Sequence, residues 1–502
     1  MNNNLQALGY KELSTRYNLE IIKPWCCSWL SSQRERKTHI ENNFSEEIYA
    51  PSYDPGNNLG DHLTFALKYE GVNLEILSAL FEVVEQKDLI DFIKTQPTGK
   101  YTRLVWFFYE WLTGKELPLD TLKQGNYIPA LDPVKYYVLD EKLSKKFKRQ
   151  RVNCNLIGTV DYCPVVRKTK LLKEFEAMKL DEHAQKMIDK YPEELLYRAT
   201  QYLYAKETKS SFEIERETPD KRRTARFIEL LHQIEHNSIS KSELIRLQKE
   251  IVDKRFALDD YRISQNYVGQ SIAPGREIVH FAAPKPENIN SMMTAWIQCA
   301  QNMLESGISP VVTAAVIGYG FVFLHPFDDG NGRLHRYLIH YALGKKHFSP
   351  PGLIFPVSAT MLKNMPQYDG TLEHFSRELM QHVEYTLDDD GEMTVSNETA
   401  QFYRYQDMTF QSEGLFGFIR DTIEDELNTE LEYLNVFDQA RNKMREVVDM
   451  PDRKLDLFIK VCLQNHGKIS KSKTSQFSML TSDEINKLSS IIQEIIKKNK
   501  KI

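Results

Sequence analysis

The sequence predicts a mainly helical protein, and three observations carry that expectation. Glycine and proline number 22 and 20 in 502 residues, too few for collagen-like, linker-like or Gly-rich β architectures. Apolar residues recur at helical spacing through most of the chain beyond about residue 190. One short pair of strand-like runs around a Pro-Gly turn interrupts that pattern. The length corresponds to two to four domains. With 41% hydrophobic and 27% charged residues, the chain reads as soluble and globular, large enough to bury cores without staples.

The expected regions are 1–165, 166–390 and 391–502. The first is expected to be mostly helical. A turn at Pro97–Gly99 precedes a run from Tyr101 to Thr113 that holds Trp106, Phe107, Phe108, Tyr109 and Trp111. The run reads as an aromatic helix stopped by Gly114 at its C-cap. Its aromatics crowd every face, which fits core packing better than a stacking platform. The basic run Lys142–Arg151 reads as a solvated helix face, with nucleic-acid contact as the alternative.

In the second region, Glu193 to Lys206 shows helical spacing. Thr218-Pro219-Asp220 reads as a helix start with Thr218 as N-cap, followed by inward Phe227, Leu230 and Leu231. A hairpin is expected over about 262–282, turning at Ala273-Pro274-Gly275 and ended by Pro284 and Pro286. Ser309-Pro310 opens a helix that runs to about Phe323. The acidic run Asp388-Asp389-Asp390-Gly391-Glu392 reads as a linker. Beyond it, helical spacing returns at Leu427, Leu431, Leu434, Phe437 and Met444, and Pro451 breaks it. Three short helices are expected from Leu455, Lys471 and Thr481, with a frayed tail Lys497–Ile502. They suit a helix-turn-helix or winged-helix-like module.

The net charge of −5 excludes a general nucleic-acid binder and leaves DNA contact by the C-terminal helices as a minor reading. Cys26, Cys27, Cys154, Cys163, Cys299 and Cys462 form no C-x-x-C and no zinc-like spacing, so reduced thiols are expected. Met1–Ile21 has no secretory pattern. The longest apolar stretch, Val311–Leu324, is too short for a bilayer span. A cytoplasmic protein without membrane attachment is expected.

The stretch that carries chemistry is His325-Pro326-Phe327-Asp328-Asp329-Gly330-Asn331-Gly332-Arg333-Leu334-His335-Arg336. Two glycines flank Asn331 directly before a helical pattern, so backbone N–H groups can converge into an anion nest. The helix N-terminus adds positive potential there. Arg333 and Arg336 lie three apart, on one side of the first turn. Nest, dipole and two guanidinium groups describe a polyphosphate site. Asp329 at its edge supplies the hard oxygen that Mg²⁺ takes beside phosphates. His325 is placed to accept a proton from a hydroxyl, and Phe327 to anchor the loop.

This stretch resembles the Fic family signature, His-x-Phe-x-Asp/Glu-Gly-Asn-Gly-Arg-x-x-Arg, and all eight specified positions match. Chance agreement in a chain this long is on the order of one in ten million. The resemblance implies a helical Fic fold and transfer of AMP from ATP to a protein hydroxyl, releasing pyrophosphate. It implies His325 as general base, Asp329 as ligand of Mg²⁺ or Mn²⁺, and Gly330, Asn331 and Gly332 as the anion hole. It places Arg333 on the outer phosphates and Arg336 on the γ-phosphate. A Lys at position 332 would mark the kinase-like branch; Gly332 favours nucleotidyl transfer. The hairpin resembles the family's flap, which pairs with an extended target segment, and Tyr368 matches a position beside the nucleotide base.

Upstream, Ser211 and Glu215 match the inhibitory Ser/Thr-x-x-x-Glu-Gly/Asn pattern, while Arg216 departs from its last position. The resemblance implies an inhibitory helix over about 195–217 whose Glu215 pairs with Arg336 and blocks the γ-phosphate. Glu213 and Glu217 are neighbouring carboxylates that compete for that assignment. The bland reading makes Ser210 and Glu213 a capping box at a helix start. Alternative functions are removal of AMP, use of another nucleotide such as UTP, and a toxin–antitoxin-like nucleotide-gated regulator. Monomer and homodimer both stay open.

Overall fold

The computed structural model describes residues 5–33, 36–41, 44–234, 236–273, 276–350 and 352–499. The protein is mostly helical with small sheets. The N-terminal region, expected to be helical, also holds strands β1 (Gln6–Leu8), β2 (Cys26–Leu30), β3 (Lys37–Glu41) and β4 (Phe44–Tyr49) in the order β1-β2-β4-β3. Most side chains of β2 and β4 are only half-buried, so little apolar alternation marks them in the sequence. Helix α1 (Lys100–Thr113) ends at Gly114 with φ +68°, and its aromatics fill the core of this region. The basic run Lys142–Arg151 is not a helix face. It contains β6 (Lys145–Phe147), which pairs with β7 (Val152–Cys154), itself paired with β5 (Ile128–Pro129). Arg149 turns inward to Glu110, and Arg151 donates to the carbonyls of Leu122, Lys123 and Gly125. The run lacks apolar periodicity; its lysines face solvent while Arg149 and Arg151 tie the chain to neighbouring loops.

The central region is built from α2 (Glu193–Ile214), α3 (Lys221–His232), α4 (Lys241–Ile251), the hairpin β8 (Tyr267–Ala273) and β9 (Arg276–Ala282), α5 (Pro286–Glu305), α6 (Pro310–Leu324) and α7 (Asn331–Lys345). Pro274 and Gly275 of the expected turn lie outside the described residues. Helix α3 starts at Lys221, not behind Thr218: Asp220 is the N-cap and its carboxylate accepts from Arg223 N at 2.7 Å. Helix α6 is apolar all round and buried all round, as a central core helix must be. Gly318 faces His335 and Ile339 of α7, and a Cβ there would crowd both, so glycine lets α6 and α7 pack closely.

Helices α8 (Val357–Lys363) and α9 (Met365–Leu379) follow. The acidic run is the turn of a hairpin, β10 (Tyr385–Leu387) and β11 (Met393–Val395), and not a linker. Its Gly391 carbonyl accepts from Tyr267 Oη of the first hairpin. The apolar core around α6 continues through α10 (Thr409–Asp421) to Leu431 in α11 (Asn428–Arg445). A separate core runs from Val436 to Ile495 and joins the end of α11 to α12 (Asp452–Leu463) and α13 (Ser482–Asn499). No strand follows Val395 among the described residues, so this last module carries no wing. The final residues of the expected tail, 500–502, lie outside the described ones.

Candidate active site

Two helices converge on one loop. Helix α6 ends at His325, which adopts a left-handed conformation with φ +49°. That is an uncommon and strained choice for a residue with a side chain, of the kind that clusters at functional sites. Helix α7 begins at Asn331, behind Gly330 with φ +94°. Asn331 closes the loop between them: its Oδ1 accepts from Phe327 N at 3.1 Å and its Nδ2 donates to Phe327 O at 2.7 Å. The Phe327 ring is fully buried, as its anchoring role requires.

The structure brings the predicted residues together at the start of α7. Arg333 and Arg336 are each 1% exposed, so both charges are taken from water and need partners. Arg336 Nη2 donates to Glu215 Oε1 at 2.8 Å and to Ser211 O at 2.6 Å. Its Nε donates to Ser211 Oγ at 2.9 Å and its Nη1 to Tyr368 Oη at 3.3 Å. Tyr368 is itself buried, so in this arrangement it serves Arg336. Arg333 is held by Asp329 Oδ1 at 2.6 Å and by Glu217 Oε2 at 3.0 Å. Glu217 in turn accepts from Arg223 at 2.8 Å. The Glu215 carboxylate also lies over Gly332, where any Cβ would run into it. A carboxylate therefore sits at the N-terminal end of α7 already, and it is supplied by the chain.

The end of α2 shows how Glu215 gets there. Glu217 N donates to Phe212 O at 3.1 Å and Arg216 N to Glu213 O at 2.9 Å. These are the two bonds of a Schellman turn, with Arg216 at its left-handed position, φ +57°. Ser210 and Ser211 lie in the last turn of α2, not at a helix start, so the capping-box reading does not hold. Glu213 is exposed. Glu217 is a site residue that the motif did not mark; its signal is the spacing of two from Glu215, which the Schellman turn converts into a shared direction.

His325 is half-buried, with Nδ1 3.2 Å from Val322 O and its ring 6.2 Å from that of Phe281 in β9. Burial and then the nearby Arg262 charge hold its pKa down at about 4. The ring is neutral at pH 7 and can accept a proton. The Asp329 side chain is 38% exposed, with Oδ1 bonded to Gly330 N and Arg333. No group of three or more acidic, His or Cys residues able to hold a metal occurs among the described residues. One open carboxylate fits a cation that takes its remaining ligands from phosphates and water.

Residues 238–343, which include the loop before α7 and most of α7, match the Fic/DOC family. The chain carries a Fic domain. Curated relatives agree with that domain over short spans. Protein adenylyltransferase fic-1 of Caenorhabditis elegans is 25% identical over 156 residues, 30% of this chain and 29% of that protein. Protein adenylyltransferase Fic of Nematostella vectensis is 25% identical over 154 residues, 30% and 34% of the two chains. The Culex quinquefasciatus protein of the same name is 33% identical over 94 residues, 18% and 16% of the two. The match thus spans about a third or less of these relatives. A Fic family protein from Desulfovibrio desulfuricans superposes with TM-score 0.39 and 17% identity over 65% of this chain and 86% of that one, too loosely to argue from. No helix among the described residues is long and apolar enough to cross a membrane.

Proposed function

We propose that this protein is an autoinhibited protein adenylyltransferase. It transfers AMP from ATP to a Ser, Thr or Tyr hydroxyl of a target protein and of itself, releasing pyrophosphate. One observation carries the reading: two fully buried arginines meet at the N-terminal end of α7, and the chain's own carboxylates occupy them. Such a site is made for polyphosphate.

In the proposed reaction His325 takes the proton of the target hydroxyl, and the oxygen attacks the α-phosphorus of ATP. The bond from that phosphorus to the bridging oxygen breaks, and pyrophosphate leaves. Arg333 and Arg336 hold its charge while the nest at Gly330, Asn331 and Gly332 holds the α-phosphate oxygens. Asp329 would hold Mg²⁺ or Mn²⁺, which when bound neutralises phosphate charge. The β8–β9 hairpin would present the target segment to His325. Glu215 and Glu217 have to leave before Arg336 and Arg333 can take phosphate. The six free cysteines suit a reducing compartment, consistent with action in the cytoplasm.

The test is incubation of wild type, Glu215→Gly and Glu215→Gly/His325→Ala with α-labelled ATP and Mg²⁺, alone and with lysate. Glu215→Gly should raise labelling at least tenfold, and the added His325→Ala should abolish it. Equal labelling of the three proteins overturns the proposal.

A further inference from the structure

Arg262 lies in the loop before β8 and belongs to no motif, yet it is 3% exposed and pairs with no carboxylate among the described residues. Burying a guanidinium with no closer carboxylate than the unbonded Asp328 demands several carbonyls in the right place. They are there. Arg262 Nε donates to His325 O at 2.8 Å, Nη1 to Ser264 O at 2.6 Å and Nη2 to Pro284 O at 2.6 Å. Its backbone N–H donates to Pro326 O at 2.9 Å. The His325 carbonyl stands at the C-terminal end of α6, where helix carbonyls lack partners and the dipole is negative. Ser264 and Pro284 are the two feet of the β8–β9 hairpin. Asn266, at the same foot, donates from Nδ2 to Phe327 O at 3.2 Å and Asp328 O at 3.3 Å.

We infer that Arg262 is a positioning residue for the transfer reaction, locking the strained left-handed turn at His325 to both feet of the flap hairpin. The inference rests on the adenylyltransferase reading. Its logic is geometric. His325 keeps φ +49° only while something holds it there, and Arg262 is the cation that caps α6 at that carbonyl. Because the same guanidinium grips Ser264 O and Pro284 O, target strand and proton acceptor share one frame. None of its bonds reaches Arg333, Arg336, Asp329 or the nest, so nucleotide binding does not depend on it.

The experiment uses the full chain with Glu215→Gly as parent, adding Arg262→Gln or Arg262→Lys. For AMP transfer, kcat of the Gln variant should fall on the order of a hundredfold, the cost of a misplacement near 1 Å, with KM for ATP within about twofold. The Lys variant keeps the charge at the end of α6 and should recover about tenfold of that loss. Amide hydrogen exchange of the Gln variant should rise at 325–328 and in β8 and β9, and stay unchanged in α2 and α11. Unchanged kcat, a KM for ATP that rises in step with the loss, or faster exchange throughout the chain overturns the inference. If the Glu215→Gly parent itself transfers no AMP, the functional reading fails, and the exchange pattern alone still decides whether Arg262 ties flap to loop.

Discussion

Arg216 is the residue where the sequence departs from the inhibitory pattern, and the structure gives the physical meaning of that position. The Schellman turn at the end of α2 needs a left-handed residue between Glu215 and Glu217, and a side chain there is strained by roughly 1 kcal/mol. Glycine or asparagine relieves the strain, so the pattern's last position is a backbone requirement and not a contact. Arg216→Gly should therefore hold Glu215 and Glu217 more firmly. We expect basal labelling from ATP to fall about fivefold with a higher melting temperature; unchanged labelling contradicts the strained-turn account. At this scale the site was largely legible. His325, Asp329, Arg333 and Arg336 are set by a contiguous motif, and Glu215 by its distance from Ser211. Glu217 was visible only as a competitor of Glu215, not as the partner of Arg333, and Arg262 was not visible at all, because their partners are made by a turn and by a helix end more than sixty residues away.

The element that carries the proposed brake is α2. Its first part is tied to the C-terminal helices by Arg198 with Asp438 and by Lys206 with Glu426 and Glu430. Its middle is fixed by Glu207, fully buried, whose Oε2 accepts from Ser358 N of α8 at 2.9 Å and whose Oε1 lies 2.8 Å from His340 Nε2 of α7. Glu207 thus locks α2 to the helix that carries both arginines. Removing one member of such a buried group leaves the others unpaired, so Glu207→Ala should cost about 3 kcal/mol of stability. It should also raise AMP transfer, since α2 loses its register against α7. Chemical unfolding and labelling on the same preparation check both; a stability loss with no gain in labelling shows that α2 stays seated without it. Helical elements were read well from apolar spacing and caps, as Ser309-Pro310 and Gly114 illustrate. The strands of the N-terminal region were not, because half-buried strands such as Phe44–Tyr49 show no clean alternation.

Across the whole molecule, the N-terminal region holds the clearest pH-dependent feature. Glu75 is buried and its carboxyl is pushed up to about 8 by that burial, against a single bond from Ile22 N at 2.6 Å. The folded state therefore keeps a proton that the unfolded chain loses near pH 4.5, and stability declines as pH rises from 4.5 to 8. Glu75→Gln imitates the protonated form and removes that slope. At pH 8 it should raise the melting temperature of this region by about 2–4 °C relative to wild type, with no gain at pH 5; equal shifts at both pH values refute the assignment. Composition misleads most at the acidic run Asp388–Glu392. That run looks like a linker by composition, yet it is a hairpin turn bonded to the β8–β9 hairpin, and the apolar core passes it to Leu431. The carboxylate over Gly332 has a consequence for the protein as a whole. On the proposed function it would behave as a tethered competitive inhibitor, present at an effective concentration on the order of millimolar or above. Restraint is then unimolecular, unaffected by dilution or expression level. Every copy would then leave synthesis already restrained, and free nucleotide would have to outcompete a group it can never wash away.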